Sequence, residues 1–226
     1  MFRYRRKIQL LVHMKKTSNI SQTYRALRTK LNYMLAKRND RTLLVTSSVH
    51  GEGKTTVASN LGIAFALEGK KVVIIDANLR LPTLHHVFSL SKRSGLGDYL
   101  ESAQWSEEMI QESSIPNLFI LPGNPTNSDP SELLGSSQME YLLSHLAEQF
   151  DLILIDSPPI TKVTDGLILS GLCDAVLIVV KSGKVKAATL MKVKEAIECV
   201  SGTIIGTVLN QVERRNSLNS QVIAMK

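Results

Sequence analysis

The chain of 226 residues is 43% hydrophobic, enough for one sizeable core, and reads as a single domain. Its longest apolar runs, such as Ala175 to Val180, have strand length and fall short of the ~18 residues of a membrane span; two cysteines without metal-ligand spacing, Cys173 and Cys199, exclude a disulfide scaffold and a thiolate metal site. The net charge of +7 is lopsided: eleven Lys or Arg and no acid precede Asp40, leaving sixteen bases against twenty acids beyond it.

Residues 1–18 read as a basic arm. The stretch "MFRYRRKIQLLVHMKK" has an apolar part of only Ile8 to Val12 and no small-residue cleavage site, which makes it a poor export signal. An arm of this kind suits anionic lipid, an acidic partner or nucleic acid, whereas the mildly acidic body argues against a nucleic-acid groove across it. The spacing of Tyr24, Leu27, Leu31 and Met34 or Leu35 predicts a helix over Ser21 to Ala36. Strand-like runs follow at Thr42–Thr46, Lys71–Asp76, Asn117–Leu121, Asp151–Asp156, Ala175–Lys181 and Thr203–Asn210, with helical patterns at Lys54–Leu67, Met139–Phe150 and Lys186–Val200. Near-continuous apolar strands separated by helices predict an α/β body over residues 19–210, a mostly parallel sheet covered by helices on both faces. Ligands in such folds sit at the carboxyl ends of the strands. Residues 123–135 read as a long polar loop ending in a helix start, and residues 211–226 as a polar tail. Cys173 and Cys199, both in apolar surroundings, are expected to be buried thiols in a reducing compartment.

Three unusual segments fall at strand ends. "SSVHGEGKTT", Ser47 to Thr56, lies between a strand and a helix and fits the second half of the phosphate loop G-x-x-x-x-G-K-[ST], with Ser48 at the first glycine position. Gly51, Glu52, Gly53, Lys54, Thr55 and Thr56 are expected to wrap the phosphates, aided by the helix dipole, with Lys54 neutralising phosphate oxygens. Thr55 is expected to place its hydroxyl on Mg²⁺. Asp76 ends "VVIID" and Asp156 ends "DLILID"; an aspartate is a poor strand residue, so two at the same sheet edge predict one carboxylate for the metal and its water shell and the other for the proton of a hydroxyl nucleophile. Asn210, closing the last strand, is a candidate contact to the base. Arg80 reads either as a phosphate or acidic-substrate contact or as an exposed loop arginine. His50, His85 and His86 are assigned no chemistry.

"GEGKTT" together with "IIDANLRLPT" and "LIDSPP" resembles the bacterial tyrosine kinases that accompany capsule and exopolysaccharide export, and the resemblance continues through "YRALRTKLNY", "GLGDYL", "LPGNPTNSDPSELL" and "GTVLN". It implies a P-loop NTPase that moves the γ-phosphoryl of ATP to tyrosine, with Lys54, Asp76 and Asp156 catalytic and Thr55, Asp76 and Asp156 at the metal. It further implies a cytoplasmic protein held at the inner face of the plasma membrane by a transmembrane polysaccharide co-polymerase that activates it. Gln22, Arg25 and Arg28 match a helix motif by which such kinases form homo-oligomeric rings, although Gln22 stands where that motif has glutamate. Two departures bear on activity. Asn78 replaces a second aspartate, and the tyrosines, Tyr4, Tyr24, Tyr33, Tyr99 and Tyr141, leave none after Asn210. Other proteins, or an N-terminal acceptor such as Tyr4, are then the expected substrates. Two rivals stay open: an ATP-binding regulatory subunit that transfers nothing, and a partitioning-type P-loop ATPase, which would carry a signature lysine where this chain has Val49.

Overall fold

The computed structural model describes residues 10–14, 17–91 and 93–212, so most of the basic arm, Tyr4 and nearly all of the polar tail lie outside the described residues. The chain opens with a helical turn, α1 (Leu11–Met14), and a long helix, α2 (Asn19–Arg38). There follow β1 (Thr42–Ser47), α3 (Lys54–Ala66), β2 (Val72–Asp76), α4 (Leu84–Val87), α5 (Leu96–Ser102), β3 (Gln111–Glu112) and β4 (Leu118–Leu121). The second half runs α6 (Pro130–Leu134), α7 (Ser137–Gln149), β5 (Leu152–Asp156), α8 (Asp165–Leu172), β6 (Ala175–Lys181), α9 (Ala187–Cys199) and β7 (Ile204–Asn210).

Among the described residues seven strands form one sheet in the order β3-β4-β2-β5-β1-β6-β7. All pairs are parallel except β3 with β4. β3 is too short to leave a periodic signal in the sequence; the other six strands stand within a residue or two of where apolar runs place them. Alternate residues of each strand enter opposite cores, as the pleat requires. Leu43, Val45, Val72 and Ile74 join Leu27, Leu31, Leu61 and Phe65 under α2 and α3. Leu44, Val73 and Ile75 join Leu134, Leu142, Leu146 and Ile197 on the other face.

α2 begins where Ser18 Oγ accepts the Ser21 N–H at 3.2 Å, and ends at Asn39 in the left-handed conformation, with the Asp40 N–H closing onto the Leu35 carbonyl. Part of the stretch read as an arm is docked: Val12 is buried and its N–H donates to Asn60 Oδ1 of α3 at 3.1 Å. Among the described residues no helix is long and apolar enough to cross a membrane. The cysteine expectation holds only in half. Cys173 is buried, and burial with the neighbouring Asp174 charge pushes its thiol up, whereas Cys199, at the outer end of α9, is exposed. A lone cysteine in an apolar-looking stretch can fall on either side of an amphipathic helix, and only the packing of α9 decides which.

Candidate phosphoryl-transfer site

The loop from β1 to α3 is shaped by two glycines. Gly51 has φ +79° and Gly53, capping α3, has φ +93°, a region that side chains avoid. A Cβ at Gly53 would also stand 2.1 Å from Asn210 Nδ2. The first-glycine position tolerates Ser48 because the turn there is pinned: the Ser48 carbonyl accepts Thr161 Oγ1 at 2.6 Å and the Thr161 N–H at 3.2 Å. The helix then leaves Lys54 and Thr55 in its first turn, with Lys54 only 6% exposed.

Glu52 is fully buried and faces the protein rather than the loop's mouth. Its Oε2 accepts the Val49 N–H at 2.8 Å, its Oε1 accepts the Lys181 N–H of β6 at 3.0 Å, and its carbonyl accepts Asn210 Nδ2 at 2.8 Å. The Glu52 side chain and the Asn210 amide therefore rivet the loop to the ends of β6 and β7. Charge and position alone read both as nucleotide contacts, because nothing in a sequence says to which side a loop side chain turns.

Asp76 and Asp156 lie side by side, in register on β2 and β5, both fully buried. Their surroundings differ. Asp76 Oδ2 accepts the N–H groups of Thr83 at 2.7 Å and Leu84 at 2.8 Å, and Oδ1 that of Asn78 at 3.3 Å. Neither oxygen of Asp156 makes a hydrogen bond of ordinary geometry, although the Thr55 hydroxyl lies close enough to favour its charged form. Burial, reinforced by the charge of Asp156, pushes Asp76 up to about 7 against the pull of the three amides. Burial pushes Asp156 up to about 6, held back by the Lys54 charge and then the Thr55 hydroxyl. Two bare carboxylate oxygens beside a lysine and a threonine hydroxyl, at the mouth of a glycine-shaped loop, fit a hydrated divalent ion; buried carboxylates otherwise find partners.

The remaining candidates are placed as follows. Arg80 is held by Asp165, Nε to Oδ2 at 3.0 Å and Nη2 to Oδ1 at 3.1 Å, and reaches Asp129 at 3.2 Å. It thus ties the loop after β2 to the starts of α6 and α8. The Asn78 backbone N–H serves Asp76. On α2, Gln22 is exposed and Arg25 half-buried, while Arg28 turns inward, pairing with Glu68 at 3.1 Å and donating to the Ala64 carbonyl of α3 at 3.4 Å. Lys184 donates from Nζ to the His50 carbonyl of the loop, a contact that sequence reading missed because it is made by a residue 134 positions away.

The chain matches the AAA domain family over residues 40–209. It is 36% identical over 190 residues to the tyrosine-protein kinase YwqD of Bacillus subtilis, covering 84% of this chain and 80% of that protein. It superposes on the kinase domain of the Escherichia coli tyrosine kinase ETK with a TM-score of 0.88 and 29% identity, covering 95% and 85% of the two chains. The cell division ATPase MinD of Pyrococcus furiosus shares the fold less fully, with a TM-score of 0.68, 27% identity and 78% and 74% coverage. A nucleotide-binding P-loop fold, the strand-end aspartate pair and this likeness meet in one conclusion: the chain belongs to the family of bacterial tyrosine-protein kinases built on a P-loop NTPase fold.

Proposed function

We propose that the protein is an Mg·ATP-dependent protein-tyrosine kinase acting in capsular or exopolysaccharide synthesis. The observation that carries the reading is Asp156, whose two buried, unpartnered oxygens stand beside Lys54 and Thr55 at the end of the parallel sheet. Bound Mg·ATP would supply the γ-phosphoryl group and the charge that neutralises this pocket. The amides of Gly51 to Thr56 and the Lys54 ammonium would hold the phosphates, and Thr55 Oγ1 and Asp156 would hold the ion. Asp76 would take the tyrosine proton. A carboxylate offers about four acceptor positions, and three at Asp76 are filled by backbone N–H groups, which leaves room for one incoming hydroxyl. Burial keeps Asp76 basic near neutral pH, as proton transfer from a phenol demands.

Among the described tyrosines, Tyr33 and Tyr141 are 74% and 64% exposed, whereas Tyr99 is buried and burial lifts the Tyr24 hydroxyl to about 12. Acceptors within the described chain are therefore Tyr33 and Tyr141. Gln22, Arg25 and Arg28 are assigned to a homo-oligomeric ring contact on α2, and the basic arm to the inner face of the membrane or an acidic surface of a transmembrane activator.

The test is incubation of the full chain with Mg·ATP, with and without the cytosolic tail of its membrane activator. Phosphotyrosine is then mapped by mass spectrometry against Lys54→Met. Phosphotyrosine that disappears in that variant supports the kinase. A second reading, the regulatory subunit, is favoured by Asn78 at the position of the second aspartate; ATP binding with no phosphotyrosine on the chain or on an added tyrosine-rich protein would establish it instead.

A further inference from the structure

The connection from β6 to α9 lays a second cation across the phosphate loop. β6 ends at Lys181, tied to Glu52, and the Ser182 N–H donates to the Asn210 carbonyl at 2.9 Å. A turn then closes with the Lys184 N–H on the Lys181 carbonyl at 3.2 Å, made possible by Gly183 at φ +69°. This turn brings Lys184 Nζ to the His50 carbonyl and to 3.3 Å from where a Cβ on Gly51 would stand. The bare α-carbon of residue 51 lets the ammonium lie close against the loop backbone. Two of its three protons remain for another acceptor.

The local charge explains what that acceptor is. Asp76 and Asp156 bring two buried carboxylates to the site, and among the described residues Lys54 is the buried lysine beside Asp156. A triphosphate adds about four negative charges, of which Mg²⁺ returns two. Val49 contributes no cation to the first half of the loop, and the charge of Arg80 is already matched by Asp165 and Asp129. We propose that Lys184 is a second phosphate-binding cation of the nucleotide site, supplied in cis by the β6–α9 turn. The proposal rests on the reading of residues 51–56 as the ATP loop.

Isothermal titration of the full chain with Mg·ATP tests it, alongside ligand-free melting temperatures. Lys184→Met should weaken binding about tenfold and Lys184→Arg by less than about threefold, the size of one charge-assisted contact. Both variants should melt within about 2 °C of the parent without nucleotide, because Lys184 is exposed. Lys184→Met binding within about twofold of the parent overturns the proposal. So does an equal loss in both variants accompanied by a fall in ligand-free melting temperature, which would make Lys184 only a brace for the loop. Failure of the underlying reading looks different: the parent itself would not bind Mg·ATP, and Lys54→Met would change nothing.

Discussion

Replacing Asp156 by asparagine should stabilise the ligand-free protein at about pH 8. Asp76 and Asp156 are fully buried and paired in register on adjacent strands, which stand about 4.8 Å apart. Two unit charges about 5 Å apart at an effective dielectric near 20 repel by about 3 kcal/mol. Burial acts in the same direction: it raises the Asp156 carboxyl above its ordinary range, so its ionised form is less favourable in the folded chain than in the unfolded one. Asparagine removes that charge but also deprives buried Lys54 of its partner and brings N–H donors into a site with few acceptors, which together return about 1 kcal/mol. The net gain is about 2 kcal/mol, or about 4–8 °C in melting temperature for a chain of this size. Both folded-state pKa values lie above the unfolded ones, so the pair's favourable contribution is complete below about pH 4 and is lost as the pH climbs through about 6 and 7. Calorimetric melting without nucleotide or Mg²⁺ should therefore show the gain at about pH 8 and none near pH 4. A variant less stable than the parent at about pH 8, or a gain of equal size at both ends, would refute the argument. Adding Mg·ATP should reverse the order, since only the parent keeps the carboxylate proposed to meet the ion.

Gly53→Ala forces a side chain onto φ +93° and to 2.1 Å from Asn210; we expect a loss of about 2 kcal/mol in urea unfolding and at least a tenfold loss of ATP affinity by titration. Glu52→Gln turns an amide N–H toward the N–H of Val49 or Lys181, at a cost of about 2–3 kcal/mol. Unchanged urea stability would show that the rivet is not needed. Arg28→Ala removes the contact to Glu68 and the Ala64 carbonyl and should cost the dilute monomer about 1 kcal/mol; no change would mean that Arg28 serves only contacts between copies. Asn78→Asp restores a second carboxylate two residues after Asp76, and initial-rate phosphotyrosine assays should show faster turnover; an equal or lower rate counts against a role for that charge.

Much of this protein is legible along the chain. Six of the seven strands and the main helices follow from apolar runs and helical spacing, because a parallel sheet buried on both faces requires side chains of that kind at every strand position. The phosphate loop is readable for a related reason. Its chemistry is local: glycines that permit positive φ, a lysine, and a helix start within ten residues. Asp76 and Asp156 are readable as polar residues where a strand should remain apolar, and their arrival at the same sheet edge follows from parallel topology.

What the tertiary structure alone decides is orientation and long-range pairing. Two aspartates that look equivalent in sequence become unlike, one saturated by the amides of residues 78, 83 and 84 and the other bare, because the loop after β2 folds back over its own strand end and none covers β5 in that way. Glu52 turns inward, Arg28 pairs with α3, Cys199 faces out and Lys184 reaches the loop across 134 positions. Period and propensity record which face of an element is buried. They do not record which distant backbone group a buried charge will find, and at this site those pairings set which oxygens remain free for a metal and a substrate.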